Sequence, residues 1–373
     1  MKISSILQNP YRPLFLIGTI SAIIGAGLWM PYGFQLMNFY PGRMHAHLMM
    51  GVFLLSFASG FLMTAIPKMT GTFPSGKVEL FLQITGLIFT AGCGLINKET
   101  TLFFISILLN LTMLLFFVGK RFLVKKNNPP DVFPFVMAGI LSGLLGSIFW
   151  IFGLYTIGHR LFYLNFILCL VLGVGSKLIP MLLRLGPAKP NSKRTTVFLA
   201  IILFISNFFE DYYLWSLGPW IRSMVVLWVG IFYWRVFEKS TFNSGFTNGI
   251  RLSAISVILG SLLLALDPIH RMEWLHLIYI SGFALLTFLV ATRVILAHGG
   301  HDLNLEVKNW RITATVVLIL LAAATRALAP FWPAGYNRHL AYSAFCLVFA
   351  LVIWGWFFIP KLKGKTPFSS DRC

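Results

Sequence analysis

The chain has 373 residues, 57% hydrophobic and 11% charged, where an ordinary soluble domain carries about a quarter charged residues. With a mean hydropathy of +0.80, recurring apolar stretches of about 20 residues exclude a soluble enzyme and specify an all-α, polytopic membrane protein. The net charge of +19 does not indicate nucleic acid: its cations sit in short loops between apolar runs, where they orient helices against lipid.

Twelve candidate helices follow in chain order, near 14–34, 46–67, 78–96, 101–119, 132–154, 160–184, 195–215, 219–237, 250–267, 273–298, 311–330 and 339–360. The first is too long for a signal-peptide core and lacks a small-residue cleavage site, so it reads as a retained helix. The weakest break is Asn97-Lys98-Glu99-Thr100. No hydrophilic stretch is long enough for a soluble domain, so residues 1–373 read as one integral membrane domain. Basic residues follow the even-numbered runs: Lys68 and Lys77; Lys120, Arg121, Lys125 and Lys126; Arg184, Lys189, Lys193 and Arg194; Arg235, Lys239 and Arg251; Lys308 and Arg311; and a tail with Lys361, Lys363, Lys365 and Arg372. This bias predicts both termini in the cytoplasm. Cys93, Cys169, Cys346 and Cys373 form no C-x-x-C pattern, which argues against thiolate metal sites and covalently attached c-type haem.

The topology sorts the histidines. His45, His47, His159, His270, His276 and His339 fall at the outer ends of runs, and His298 and His301 at the inner end of the tenth. Imidazole is costly in lipid, and metal or haem ligation is the sharpest reason to place it there repeatedly. His45 and His47 are about 200° apart on a continuous helix. They serve two centres, or Pro41-Gly42 delays the helix and His45 reaches inward from a loop. Met44, Met49 and Met50 surround them, and thioether suits Cu(I), although methionine alone reads as membrane core. His159 and His339 each stand beside an arginine, and ligation and a simple interfacial histidine weigh equally for each. His298 lies 22 residues after His276, within about 40° of the same face and about 33 Å away, so the two cannot share an ion. His298-Gly299-Gly300-His301 is a second small site or a solvated turn, and spacing favours the turn. Arg293 meets a haem propionate or snorkels to headgroups, and snorkelling is favoured. His270 and the pair Glu210-Asp211 read as solvated. Gly25-x-Gly27 and Gly173-x-Gly175 read as close helix packing.

An internal echo follows three of these histidines. His47 is followed by Thr64-Ala65-Ile66-Pro67-Lys68, His159 by Ser176-Lys177-Leu178-Ile179-Pro180, and His276 by Thr292-Arg293-Val294-Ile295-Leu296, with hydroxyls 17, 17 and 16 residues on. The pattern suggests three four-helix units, 1–120, 121–238 and 239–373. Span-ending Pro and basic residues are common enough to produce part of it.

These segments resemble the NnrS family of haem- and copper-containing bacterial membrane proteins. Asn9-Pro10-Tyr11-Arg12-Pro13-Leu14-Phe15 resembles its F-R-P-F-F element, and Met44-His45-Ala46-His47-Leu48-Met49-Met50-Gly51 its H-A-H-E-M-x-x-G element. Gly60 to Pro67, Ser176 to Pro180, Thr292 to Gly300 and Ala324 to Pro330 resemble later elements in order. Leu48 replaces an acidic residue, Lys177 an arginine, and Met181-Leu182 an aromatic and a threonine. The resemblance implies a bacterial inner-membrane protein of nitric oxide metabolism or nitrosative-stress resistance, with haem and copper as cofactors. On it, His47 and His276 are the expected haem axial ligands on facing helices. His45, His159 and His339 come next, as copper or second-haem ligands, and Arg293 and Arg326 stabilise anionic groups. A more distant similarity is to the catalytic subunit of haem–copper oxidases and nitric oxide reductases, but no histidine pair opens the seventh run. The competing reading is a transporter for a metal ion or small anion. Twelve spans and many glycines fit it, while scarce mid-membrane carboxylates and one-sided histidines oppose it.

Overall fold

The computed structural model describes residues 3–96, 100–187, 192–212 and 217–364, and these are all-α with no strand. The break at Asn97-Lys98-Glu99, the loop cation Lys189, and Lys365, Arg372 and Cys373 of the tail lie outside the described residues. A short helix, Ile3–Gln8, precedes the main rods. These are α1 Tyr11–Gly33, α2 Gly42–Thr70, α3 Lys77–Leu95, α4 Thr100–Leu123, α5 Phe133–Ile151, α6 Tyr155–Leu182, α7 Lys193–Tyr212, α8 Leu217–Tyr233, α9 Gly245–Leu266, α10 Arg271–His298, α11 Trp310–Leu328 and α12 Tyr336–Phe358. Among the described residues, ten rods are long and apolar enough to cross a membrane, α7 and α8 being the other two. The chain is a multi-pass membrane protein. Each rod matches one predicted run, with several starting earlier: α2 begins at Gly42, directly after Pro41. α8 stops before its predicted end because Arg235 adopts φ 54°, and the turn brings Glu238 back onto its guanidinium.

The chain packs as two compact units. One comprises Met1–Pro129, Thr287–Leu318 and Ala344–Cys373, the other Pro130–Leu286 and Ile319–Ser343. In the first, Arg121 of α4 is fully buried. Glu79 of α3 meets it with both oxygens at 3.0 and 2.8 Å, the Pro74 carbonyl accepts a further bond at 2.9 Å, and the Phe117 ring lies 3.4 Å from the guanidinium carbon. A cation read from sequence as a loop signal is therefore a packing element, neutralised on the spot.

Small residues seven apart, two helical turns on one face, seat each histidine-headed helix on the helix before it. On α1 these are Gly18 and Gly25: an added Cβ would lie 3.1 Å from the Phe53 carbonyl and 3.0 Å from Leu48 Cβ. On α5 they are Gly139 and Gly146, whose added Cβ atoms would meet the Phe166 carbonyl at 2.9 Å and the Phe162 nitrogen at 2.7 Å. On α9 they are buried Ser253 and Gly260, the latter's added Cβ lying 3.2 Å from the Trp274 carbonyl. Such contacts bring backbone to backbone, which drives helix association where lipid removes the hydrophobic contrast. Gly25 and Gly173 are close contacts as predicted.

The same three helices share a second feature that the sequence pattern did not disclose. Each widens into π-helical turns beginning at or just after its histidine: His47–Leu54 in α2, Arg160–Phe166 in α6 and Leu277–Ala284 in α10. A fourth such segment, Val229–Tyr233, closes α8. Further along, the echoed hydroxyls each donate back to the carbonyl four residues earlier, Thr64 to Gly60 at 2.7 Å, Ser176 to Leu172 at 2.6 Å and Thr292 to Phe288 at 2.9 Å.

Backbone cannot yield as a flexible side chain can. Gly146→Val should therefore lower the thermal midpoint of the detergent-purified protein, at ~1–3 kcal/mol of overpacking. Gly92→Ala, with nothing within 4 Å of the added carbon, should leave it unchanged or slightly higher. Equal midpoints for the two variants would contradict the close approach.

Candidate functional site

In the first unit, α2 carries His45 and His47 on opposite sides, as expected for a continuous helix. The delayed-helix alternative is excluded by the start at Gly42. The His45 ring faces α1. Its Nδ1 is 2.9 Å from the Gly25 carbonyl, and Trp29 meets it edge-on at 5.7 Å. A carbonyl can only accept, so neutral His45 carries its proton on Nδ1 and its lone pair on Nε2. Met49 Sδ approaches the same glycine, 3.2 Å from the position of an added Cβ. His47 faces the other way and is buried. Its ring stacks on Phe103 of α4 at 3.8 Å, and its Nδ1 has no hydrogen-bond partner among the described residues. Gly51, one turn on, gives Phe103 the room to lie there.

At the opposite end of this unit, several segments that carry the family resemblance assemble. The Tyr11 amide donates to Thr64 Oγ1 at 3.2 Å, and Lys68 donates to His298 Nδ1 at 2.8 Å. The Tyr11 ring lies 6.0 Å from His298. His301 donates from Nε2 to the Lys361 carbonyl at 3.1 Å. The turn at His298-Gly299-Gly300-His301 is thus tied to α2 and to the segment after α12, correcting the solvated reading. The lysine contact places the His298 proton on Nε2 and engages its lone pair, which works against the expected metal role for His298.

In the second unit, His276 of α10 holds the Met272 carbonyl with Nδ1 at 2.6 Å, again leaving the lone pair on Nε2. His270 is not simply solvated. Its Nδ1 meets Asp267 Oδ2 at 2.8 Å, and its ring lies against Phe331 at 5.1 Å. Sequence reasoning passed over this carboxylate-oriented imidazole because the turn that folds it back on Asp267 has no motif. His159 is exposed, 4.5 Å from the Tyr163 ring. His339 is half-buried, and its Nδ1 has no hydrogen-bond partner among the described residues. The six histidines expected to bind metal thus divide, His45, His47 and His298 in one unit and His159, His276 and His339 in the other. Among the described residues, no three His, Cys, Asp or Glu side chains gather to hold a metal ion.

The arginines correct the sequence reading most. Arg293, expected at a headgroup or a propionate, pairs with buried Glu306 at 2.9 Å. Arg326 pairs with buried Glu273 at 3.3 Å. Each expected anion-binding arginine already faces a carboxylate. Glu210, read as solvated, is buried at the end of α7 among three arginines. Arg222 of α8 donates to Oε2 at 2.5 Å, Arg271 of α10 donates to Oε1, and Arg160 of α6 stands 3.8 Å away. The side chain of Asp211, the other half of the predicted acidic pair, lies outside the described residues. No local pattern joins four residues spread over four helices, and the one available hint was Arg160 beside His159.

The motif segments that meet around Thr64 and His298 stand in the order expected of one family, and the family model described as NnrS protein matches residues 5–365. The chain belongs to the NnrS family. Membership fits a nitric-oxide-related membrane protein in general terms. No curated protein is significantly similar in sequence. The NnrS match covers both units, including every histidine discussed above.

Removing one partner of a buried ion pair costs ~3–5 kcal/mol. Arg326→Met should therefore lower the thermal midpoint strongly, and adding Glu273→Gln should recover part of the loss; simple additivity of the two would show that they are not partners. Outside the spans, Asp267 is held below the usual carboxylate range, first by the His270 hydrogen bond and also by Trp274. A depressed carboxylate stabilises above its unfolded value of about 4 and loses that contribution as pH falls through its folded value. Melting curves of wild type and Asp267→Asn should differ at neutral pH and converge on acidification.

Proposed function

We propose that this NnrS-family chain is a haem- and copper-binding protein of the bacterial inner membrane. Both termini lie in the cytoplasm, and it takes up nitric oxide or a related small species in support of its removal or tolerance. The observation that carries the reading is the tautomer of the membrane histidines. His276 and His45 each donate Nδ1–H to a backbone carbonyl, the kind of contact that fixes tautomer and ring orientation in metal-ligating histidine. His47 adds a buried ring nitrogen without a hydrogen-bond partner among the described residues. These residues fit haem ligation, with His47 in one unit and His276 in the other each a candidate iron ligand. Copper suits His45 together with the Met49 thioether, a soft donor that matches Cu(I). Bound haem iron would supply a position for a diatomic ligand, and the polarity around it would decide between gas binding and electron transfer. The chain's own contribution is to fix the imidazoles: the Gly25 and Met272 carbonyls set the rings of His45 and His276, and Phe103 holds the plane of His47. His298 drops out of the ligand set because its lone pair is engaged by Lys68.

The protein purified in detergent should show a Soret band and contain iron and copper. His47→Ala and His276→Ala should each lose Soret intensity, and His45→Ala should lose copper while keeping the band. A colourless, metal-free preparation that catalyses uptake into vesicles would replace this reading with a transporter.

A further inference from the structure

A cavity of about 280 Å³ opens within the second unit, where α6 ends and α9 begins. Its walls are Leu183 directly after α6, the loop after α8, and Asn248 and Arg251 in the first two turns of α9. Hydrogen bonds fix that loop. Ser240 donates to the Leu183 carbonyl at 2.6 Å and accepts from the Phe242 amide at 3.1 Å, and Ser244 caps α9 by accepting from the Thr247 amide at 3.2 Å.

Two lining side chains, Lys239 and Arg251, are cations, and among the described residues no carboxylate lines the cavity. Glu238, the nearest acid along the chain, is committed to Arg235. Only its backbone carbonyl meets Arg251, accepting from Nη2 at 2.6 Å. A third cation, Arg184, stands 4.1 Å from the centre of the lining Phe242 ring. The amides add direction. Asn248 Nδ2 donates to Asn243 Oδ1 at 2.9 Å, which uses an acceptor and leaves Asn243 with its donors and Asn248 with its own oxygen. Such a lining suits an anion with several acceptor oxygens and one hydroxyl. Both α6 and α9 are long and apolar enough to cross a membrane, so a cavity at their ends lies at headgroup level. Phe242 and Phe237 of the same loop are exposed aromatics, the residues that line a membrane–water boundary.

We infer that this cavity seats the phosphate of an anionic lipid headgroup that also carries a hydroxyl. Basic pockets between the cytoplasmic ends of spanning helices recognise headgroups in this way. Lys239 and Arg251 hold the phosphate oxygens through charge-assisted bonds. Asn243 adds a neutral donor, Asn248 Oδ1 accepts from the hydroxyl, and Phe242 lies along the apolar part. A free phosphate shares the ionic chemistry but has no use for the exposed rings. None of these residues belongs to the proposed haem or copper ligands.

The test uses the full-length protein in detergent, stripped of lipid. Its thermal midpoint is followed at constant ionic strength against phosphatidylglycerol, phosphatidylcholine and inorganic phosphate. Phosphatidylglycerol should raise the midpoint by several degrees and saturate, and the other two should give little or no shift. Lys239→Gln with Arg251→Gln should weaken the apparent affinity at least tenfold. Asn243→Asp, which keeps both cations and adds a carboxylate, should weaken it as well. Lys125→Gln with Lys126→Gln, an equal loss of charge in the other unit, should leave it unchanged. Equal stabilisation of wild type and the Lys239/Arg251 variant by phosphatidylglycerol would overturn the site. So would an equal loss in the Lys125/Lys126 variant, which would reduce the effect to net charge. A shift with inorganic phosphate as large as that with phosphatidylglycerol would overturn the lipid assignment in favour of a free anion.

Discussion

Charge without water is the constraint that organises this molecule. The chain carries 30 basic and 11 acidic residues, and most of its length is apolar helix. A cation drawn into such surroundings must bring a counter-charge or forfeit its solvation. Carboxylates are therefore the scarce resource, and their placement marks where the packing is most exacting. Glu79 pins α3 to α4 through Arg121, Glu306 fastens the stretch after α10 back onto Arg293, and Glu273 ties α10 to α11 through Arg326. Glu210 alone among the described carboxylates is divided among three partners.

Around those ionic anchors the helices approach through small side chains. Gly18 and Gly25, Gly139 and Gly146, and Ser253 and Gly260 let α2, α6 and α10 come close to the helix before each. The histidine ends of those three helices are π-helical and their other ends carry a hydroxyl bonded back to its own helix. One end of each is thus wide and bears imidazole, and the other is tight. π-turns recur at functional sites because they turn side chains out of the regular α phase. Here they begin where the candidate ligands stand.

Much of this was legible in the sequence. Length and hydropathy sufficed to lay out the rods, ten of which, among the described residues, are long and apolar enough to cross a membrane, because a span in lipid must be a long apolar helix. The hydroxyl echo and the opposed directions of His45 and His47 followed from helical spacing. Other features lay beyond local pattern. Wheel arithmetic from His276 to His298 assumes a uniform α-helix, yet Leu277–Ala284 is π-helical, and a π-turn takes up about one residue more, ~100° of rotation. Arg293 and Arg326 read as cations in search of an anion, since their carboxylates are distant in the chain or in an unremarkable loop. The Glu210 cluster was missed for the same reason: an acidic residue at a helix end looks solvated until three other helices are seen to close over it.

The π-turns also bear on what kind of change these helices can absorb. Substituting a residue there leaves the path of the chain as it was. Deleting one would let the turn relax to ordinary α-helix with every backbone bond remade, and yet swing His47, His159 or His276 about a third of a revolution against the rest of its helix. What these stretches hold constant is therefore the number of residues, more than their identity.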